Sequence, residues 1–260
     1  MSTVVLVHPA WFGGWCWRKL TPLLEESGHR VLTPTLTGLG ERAHLARRDV
    51  DLDTHVRDIV GVLRFENLTD VVLVANSSAG MVITGVAEVV PERIAELVYL
   101  DAFVPEDGQC LRDMIPPERR AGMDTLVESE GEGWLLPRFA PPSWEQFLPQ
   151  VWAFTDPDDL AWTLDRLRPT PFGHFTTPVA VTNPAARTLP RTYVRFTRWP
   201  HPGFDRWAQA AESSTGWRLR RLDADHIAHI TSPAELASVL LELLETTRGA
   251  QTSRSSIEDE

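Results

Sequence analysis

Acyl transfer by a side chain needs a nucleophile beside a base, and a third group that orients the base. Residues 71–90, VVLVANSSAGMVITGVAEVV, offer a serine in a suitable setting. Val71 to Val74 run without alternation, as a strand buried on both faces of a parallel sheet does. Small and polar residues follow at once, from Ala75 to Gly80, and then Met81, Val82, Val86, Val89 and Val90 recur at helical spacing until Pro91 stops the pattern. A strand, a sharp turn and a helix together make the layout of a nucleophile elbow, which exposes the hydroxyl of Ser77 above the sheet edge. The backbone N–H of Ser78, at the helix N-terminus, can then face a developing oxyanion. The usual elbow is G-x-S-x-G; here both glycines are alanines, Ala75 and Ala79. Alone, the string also suits a serine that merely caps a helix.

A base is available near the C-terminus. Residues 223–226 read DADH, between a strand and the last helix. His226 is therefore the base candidate, with His229 three residues on as its rival. A serine followed much later by a histidine is the chain order of an α/β-hydrolase.

The elements that must hold these groups alternate. Strands are expected at residues 4–7, 30–33, 71–74, 97–100, 192–196 and 217–222. Helices are expected at residues 17–28, 53–65 (capped by Asp51 or Asp53), 81–90, 204–211 and 233–244. Alternation at short intervals predicts an α/β fold with a doubly wound, mostly parallel sheet of about six strands. Residues 105–190 break the rhythm, with 13 of the 20 prolines and the tryptophans Trp134, Trp144, Trp152 and Trp162. This reads as an inserted helical lid, with helical pieces at residues 143–154 and 158–167. The expected division is a core of residues 1–104 and 186–247, a lid or cap of residues 105–185 and a flexible polar tail of residues 248–260.

Composition narrows the function. The 260 residues are 43% hydrophobic and 23% charged, ordinary for a soluble enzyme. A net charge of -11 argues against nucleic acid and anionic membrane surfaces as partners. Two cysteines, Cys16 and Cys110, suggest a reducing cytoplasm, and neither a signal peptide nor a membrane-spanning stretch is evident. No metal site, phosphate loop or dinucleotide fingerprint stands out, so no cofactor is expected.

The stretches VLVHPAWFGGWCW, LTGLGER, VVLVANSSAGMVI, LVYLDAFVP and DADHIAHITSPAELA resemble the α/β-hydrolases related to plant methylesterases and hydroxynitrile lyases, together with their bacterial esterase-like relatives. The resemblance spans nearly the whole core and is looser over residues 105–185. It implies that Ser77 is the nucleophile, that His226 is the catalytic histidine and that the backbone N–H groups of Ala10 and Ser78 form the oxyanion hole. Pro9, which has no N–H of its own, stands where the family has glycine, and Phe12 where it has histidine. Asn76 stands where the family has an ionisable neighbour of the serine. Pro9, Trp11, Phe12 and Asn76 are accordingly expected around the substrate.

The family's usual aspartate after the strand at residues 192–196 is absent; that place holds Arg198, Trp199, Pro200 and His201, and the next carboxylate is Asp205. Asp101, at the end of the strand beside the elbow strand, is a position from which some α/β-hydrolases supply the acid. The acid is thus Asp101, Asp205 or neither, and the last case leaves a Ser-His dyad. Trp15, Trp17, Trp207 and Trp217 are expected to pack helices on the sheet, while Trp11, Phe12 and one or two of the later tryptophans face the site. The substrate is expected to be a small apolar, even aromatic, carbonyl compound: a carboxylic ester, lactone or thioester. The alternative is a lyase, cyclase or dehydratase using the same serine and histidine for proton transfer on a polyketide-like intermediate. A binding protein that kept the fold and lost catalysis is the third reading. The oligomeric state is open, a homodimer included.

Overall fold

The computed structural model describes residues 1–137, 152, 154–198 and 202–258. Its centre is a sheet of six parallel strands: β1 (Thr3–Val7), β2 (Arg30–Leu32), β3 (Val71–Asn76), β4 (Ile94–Leu100), β7 (Arg191–Phe196) and β8 (Trp217–Leu222). They lie in the order β2-β1-β3-β4-β7-β8. A further pair of two-residue strands, β5 (Leu135–Leu136) and β6 (Thr170–Pro171), forms an antiparallel ribbon within the insertion between β4 and β7. The chain winds outward from β1 to β2, then returns to β3 on the other side. The β1/β3 boundary is therefore the switch point, where the crevice beyond the strand ends opens.

Among the described residues, seven longer helices accompany the sheet: α1 (Thr21–Glu26), α2 (Leu52–Phe65), α3 (Ala79–Val89), α4 (Pro117–Glu130), α5 (Pro157–Arg166), α6 (Pro202–Ser213) and α7 (Pro233–Glu258). The continuous apolar run of β3 is buried at every residue, as a strand covered on both faces requires. Two apolar clusters fill the two layers. Val5, Val7, Leu73 and Ala75 face α2 and α3, while Val4, Leu6, Val72 and Val74 face the layer containing Trp17, Leu20 and α7. Successive strand residues alternate between these layers, the period-two rule of a strand. Asp51 is the cap of α2, its Oδ1 accepting from the Thr54 N–H at 2.8 Å.

Several boundaries depart from the sequence pattern. The expected helix at residues 17–28 is split into a 3-10 turn at Gly14–Trp17 and α1, with Pro22 starting the new helix where a missing N–H does no harm. α4 carries no strong apolar stripe and escapes a periodicity search; Val127 is its one fully buried side chain. The helix expected at residues 143–154 falls mainly outside the described residues, whereas that at residues 158–167 is α5, capped by Asp156. α7 continues to Glu258, although the apolar spacing stops near Leu244 and residues 248–260 read as a tail. Among the described residues no helix is long and apolar enough to cross a membrane.

Candidate active site

Among the described residues six non-glycine residues adopt positive φ, and three of them, Trp11 (68°), Ser77 (55°) and Asp101 (44°), sit beyond the ends of β1, β3 and β4. This region costs a residue with a Cβ about 1–3 kcal/mol, and such strain persists only where surrounding bonds over-determine it. Those bonds are present. The Ser77 N–H donates to the Leu100 carbonyl at 3.3 Å, and the Ser77 carbonyl accepts from Gly80 (3.2 Å) and Phe103 (3.0 Å). The Asp101 N–H donates to the Val194 carbonyl at 2.8 Å. Gly80 is the elbow position that admits no side chain, because a Cβ there would lie 2.1 Å from the Phe103 carbonyl oxygen. The methyls of Ala75 and Ala79 are fully buried, so the two alanines that break the usual elbow pattern are accommodated.

His226 reaches this corner on the loop after β8. Its Nδ1 lies 3.1 Å from Asp101 Oδ2, and the Phe204 ring of α6 lies 5.2 Å away, tilted by 39°. Its carbonyl accepts from the Asn76 side-chain amide at 3.2 Å, which ties the histidine loop to the residue before Ser77. Asp225, which sequence reasoning passed over, holds the loop from the other side. Its carboxylate accepts from the Ile227 N–H (2.9 Å) and the Thr231 hydroxyl (2.7 Å), and burial pushes its carboxyl upward from the usual range. The signal was available in the spacing D-H-I-x-x-x-T, an aspartate that can cap the turn behind the histidine.

Asp101 is 0% exposed and His226 8%. The Nδ1–carboxylate bond leaves Nε2 as the nitrogen that can accept a proton. Asp205 pairs instead with Arg195, Nε to Oδ1 at 2.8 Å. The same guanidinium donates from Nη1 to Asp101 Oδ1 at 2.9 Å. Of the two carboxylates open on sequence grounds, Asp101 is the one at the histidine. His229, the rival base, is fully buried between Trp17 and Phe12, at 4.6 Å and 6.1 Å between ring centroids, and burial pushes it down to about 3.

The loop after β1 differs most from expectation. The Ala10 N–H, expected to face the oxyanion, donates to the Ser78 side-chain hydroxyl at 2.8 Å. Phe12 is 2% exposed and packs among Trp15, Trp152 and His229, so it belongs to the apolar core behind the loop rather than to a rim. Pro9 is buried, its carbonyl accepting from His8 Nδ1 at 2.9 Å. Asn76 is fully buried as well, its amide given to the Leu100 and His226 carbonyls, so it braces the site instead of lining it. Trp11 fastens the insertion to the loop: its backbone N–H donates to Thr170 Oγ1 (2.8 Å) and its indole to the Pro137 carbonyl (3.0 Å). Among the described residues no cluster of three His, Cys, Asp or Glu side chains could hold a metal ion.

A family model, described as alpha/beta hydrolase family, matches residues 4–239. The chain belongs to that family. It is 36% identical over 251 residues to the carbendazim hydrolyzing esterase of Nocardioides sp. (strain SG-4G), covering 94% of this chain and 100% of the relative. It is 27% identical over 256 residues to methylesterase 9 of Arabidopsis thaliana, covering 94% of this chain and 98% of the relative. In fold it resembles an extracellular alpha/beta-hydrolase from a Paenibacillus species, with a TM-score of 0.80 at 23% identity over 93% of this chain and 98% of that one. The hydrolase is thus grouped with plant methylesterases and with a bacterial esterase, as the sequence motifs suggested, and is a serine hydrolase-type enzyme.

Proposed function

We propose that this hydrolase cleaves carboxylic esters of small apolar, aromatic-bearing acids or alcohols through Ser77, His226 and Asp101. The observation that carries the reading is the 3.1 Å contact of His226 Nδ1 with Asp101, made by a loop that Asn76 binds to the elbow. Ser77 Oγ attacks the carbonyl carbon while its proton passes to His226 Nε2, and Asp101 stabilises the imidazolium that forms. Collapse of the tetrahedral intermediate expels the alcohol, which takes that proton. Water then repeats the sequence on the acyl-enzyme and releases the acid.

The oxyanion is held at the Ser78 N–H, at the start of an eleven-residue helix whose dipole favours negative charge. Ala10 acts through the Ser78 hydroxyl, which accepts from the Ala10 N–H and retains its own proton to donate. The relatives named as a carbendazim hydrolyzing esterase and a methylesterase support a small ester as substrate. The aromatic surroundings of the site, with Phe204 on His226 and Trp11 on the loop after β1, suit an apolar group.

One observation favours the second reading, proton-transfer chemistry by a lyase or cyclase: the Ala10 N–H is already engaged in the resting structure. A fluorophosphonate separates the two. Intact mass should show one adduct on the wild type, none on Ser77→Ala and slower labelling of His226→Ala. No adduct on wild type, with a product formed by elimination or ring closure and no water incorporated, would replace esterase by lyase or cyclase.

A further inference from the structure

Asp101 is buried with two cationic candidates on its two oxygens. Oδ2 faces His226, and Oδ1 accepts from Arg195 Nη1 at 2.9 Å and from the Phe196 N–H at 3.2 Å. The Arg195 side chain is 6% exposed and also donates to the Phe196 carbonyl. A buried carboxylate is strongly disfavoured unless a positive charge accompanies it. With Arg195 present, the Asp101–Arg195 pair is neutral while His226 carries no proton. Without it, the neutral arrangement is Asp101 with a protonated His226, and a protonated imidazole cannot take the proton of Ser77.

We infer that Arg195 is a positioning residue that locks the Asp101 carboxylate and competes with His226 for its charge, so that removing the guanidinium moves the pH dependence of the base upward. The inference rests on the reading of His226 as the base. It goes beyond the serine, histidine and acid because an arginine occupies the end of the strand after which the family's aspartate would be expected.

Among the described residues, the other groups around His226 do not replace this charge. From α6 the imidazole meets the Phe204 ring, which is uncharged. From β7, Tyr193 gives its hydroxyl to the Ala102 carbonyl, and burial holds it protonated. On the histidine's own loop Asp225 is satisfied by Ile227 and Thr231, with Arg198 in electrostatic reach of it, and His229 is buried and uncharged. From the elbow the neutral Asn76 amide donates to the His226 carbonyl. Asp205, the second partner of Arg195, is 52% exposed, so water screens its claim on the guanidinium.

The test is an NMR pH titration of the His226 imidazole in wild type, Arg195→Met, Arg195→Lys and Asp205→Asn, alongside the pH profile of kcat/KM. A charge at this distance is worth about one pH unit or more. Arg195→Met should move both the titration and the acid limb of the profile upward by that amount, a tenfold loss below the limb, with little change on the alkaline plateau. Arg195→Lys should return most of the shift. Asp205→Asn, at a half-exposed residue, should move both slightly downward and keeps the test decisive if Arg195→Met does not fold. Unshifted titration in folded Arg195→Met, or an upward or absent shift in Asp205→Asn, overturns the inference. Failure of the esterase reading would show separately, as a wild type that fluorophosphonate does not label.

Discussion

His226 and His229 stand three residues apart on one loop, both nearly closed to solvent, and their surroundings could hardly differ more. His226 faces a carboxylate that an arginine compensates. His229 faces Trp17 and Phe12, and among the described residues neither of its ring nitrogens finds a partner. The same contrast extends across the sheet. His8 gives Nδ1–H to the Pro9 carbonyl and accepts the Leu36 N–H on Nε2, while His55 and His174 bond to each other at 2.9 Å and His55 to the Thr37 carbonyl. Burial pushes all four of these histidines down, His8 and His229 to about 3. A buried imidazole whose ring nitrogens meet no carboxylate is a neutral strut. One with an aspartate behind it can carry a proton through a reaction.

The contrast breaks first on activity. His226→Gln should cut kcat by about a thousandfold or more, as removal of a triad histidine does. His229→Leu should leave kcat within a few-fold. Steady-state kinetics on a small aromatic ester would decide it, and equal losses in the two variants would erase the distinction between strut and base.

Stability against pH tests the struts. A histidine lowered in the folded state is neutral in both states above its unfolded value near 6.5, so it contributes no slope there. As pH falls below 6.5 the unfolded chain takes up a proton that the folded chain refuses. Stability is then lost progressively, for His8 and His229 down to about pH 3. Each such histidine steepens the loss by up to about 1.4 kcal/mol per pH unit. Urea unfolding from pH 7.5 to 4.5 should show a flat upper part and a steep fall below 6.5. A stability that stays level to pH 5 would mean that these histidines do not remain neutral in the fold.

Much of this arrangement was legible beforehand, and the reason differs by residue. The run of β3 and the spacing of α2 and α3 name their elements because burial on both faces, or on one stripe, leaves a pattern in the chain. Ser77 and His226 were legible because strand-end position and chain order constrain them. Asp101 was one of two carboxylates until Arg195 tied Asp205 away from the histidine, a contact between residues of three separate elements that no local pattern carries. Phe12 and Asn76 were misplaced for a related reason. Their neighbours in sequence, Trp11 and Ser77, have positive φ, and those turns redirect the side chains beside them into the interior.

The loop after β1 gives the next largest effect. If the Ser78 hydroxyl relays the Ala10 N–H to the oxyanion, Ser78→Ala removes a donor but frees Ala10 to act directly. The loss in kcat should then be about tenfold, well short of the hundredfold or more seen when an oxyanion donor is lost outright, with KM little changed. A rise in kcat would show instead that the hydroxyl blocks the hole in the resting enzyme.

The smallest effect is the most direct on the struts. His229 buries two polar nitrogens against Trp17 and Phe12, and such unsatisfied groups cost about 1–3 kcal/mol each in desolvation. Leucine has nearly the volume of histidine and no polar atom, so part of that cost should be recovered in His229→Leu, less what is lost in ring contacts. The expected outcome is a gain of about 1 kcal/mol in unfolding free energy at pH 7. The slope below pH 6.5 should also flatten by one histidine's share, because one fewer group takes up a proton only when unfolded. A destabilised variant with an unchanged acid slope would mean that His229 is held by partners strong enough to make its ring nitrogens an asset, and the two histidines of this loop would then differ in degree rather than in kind.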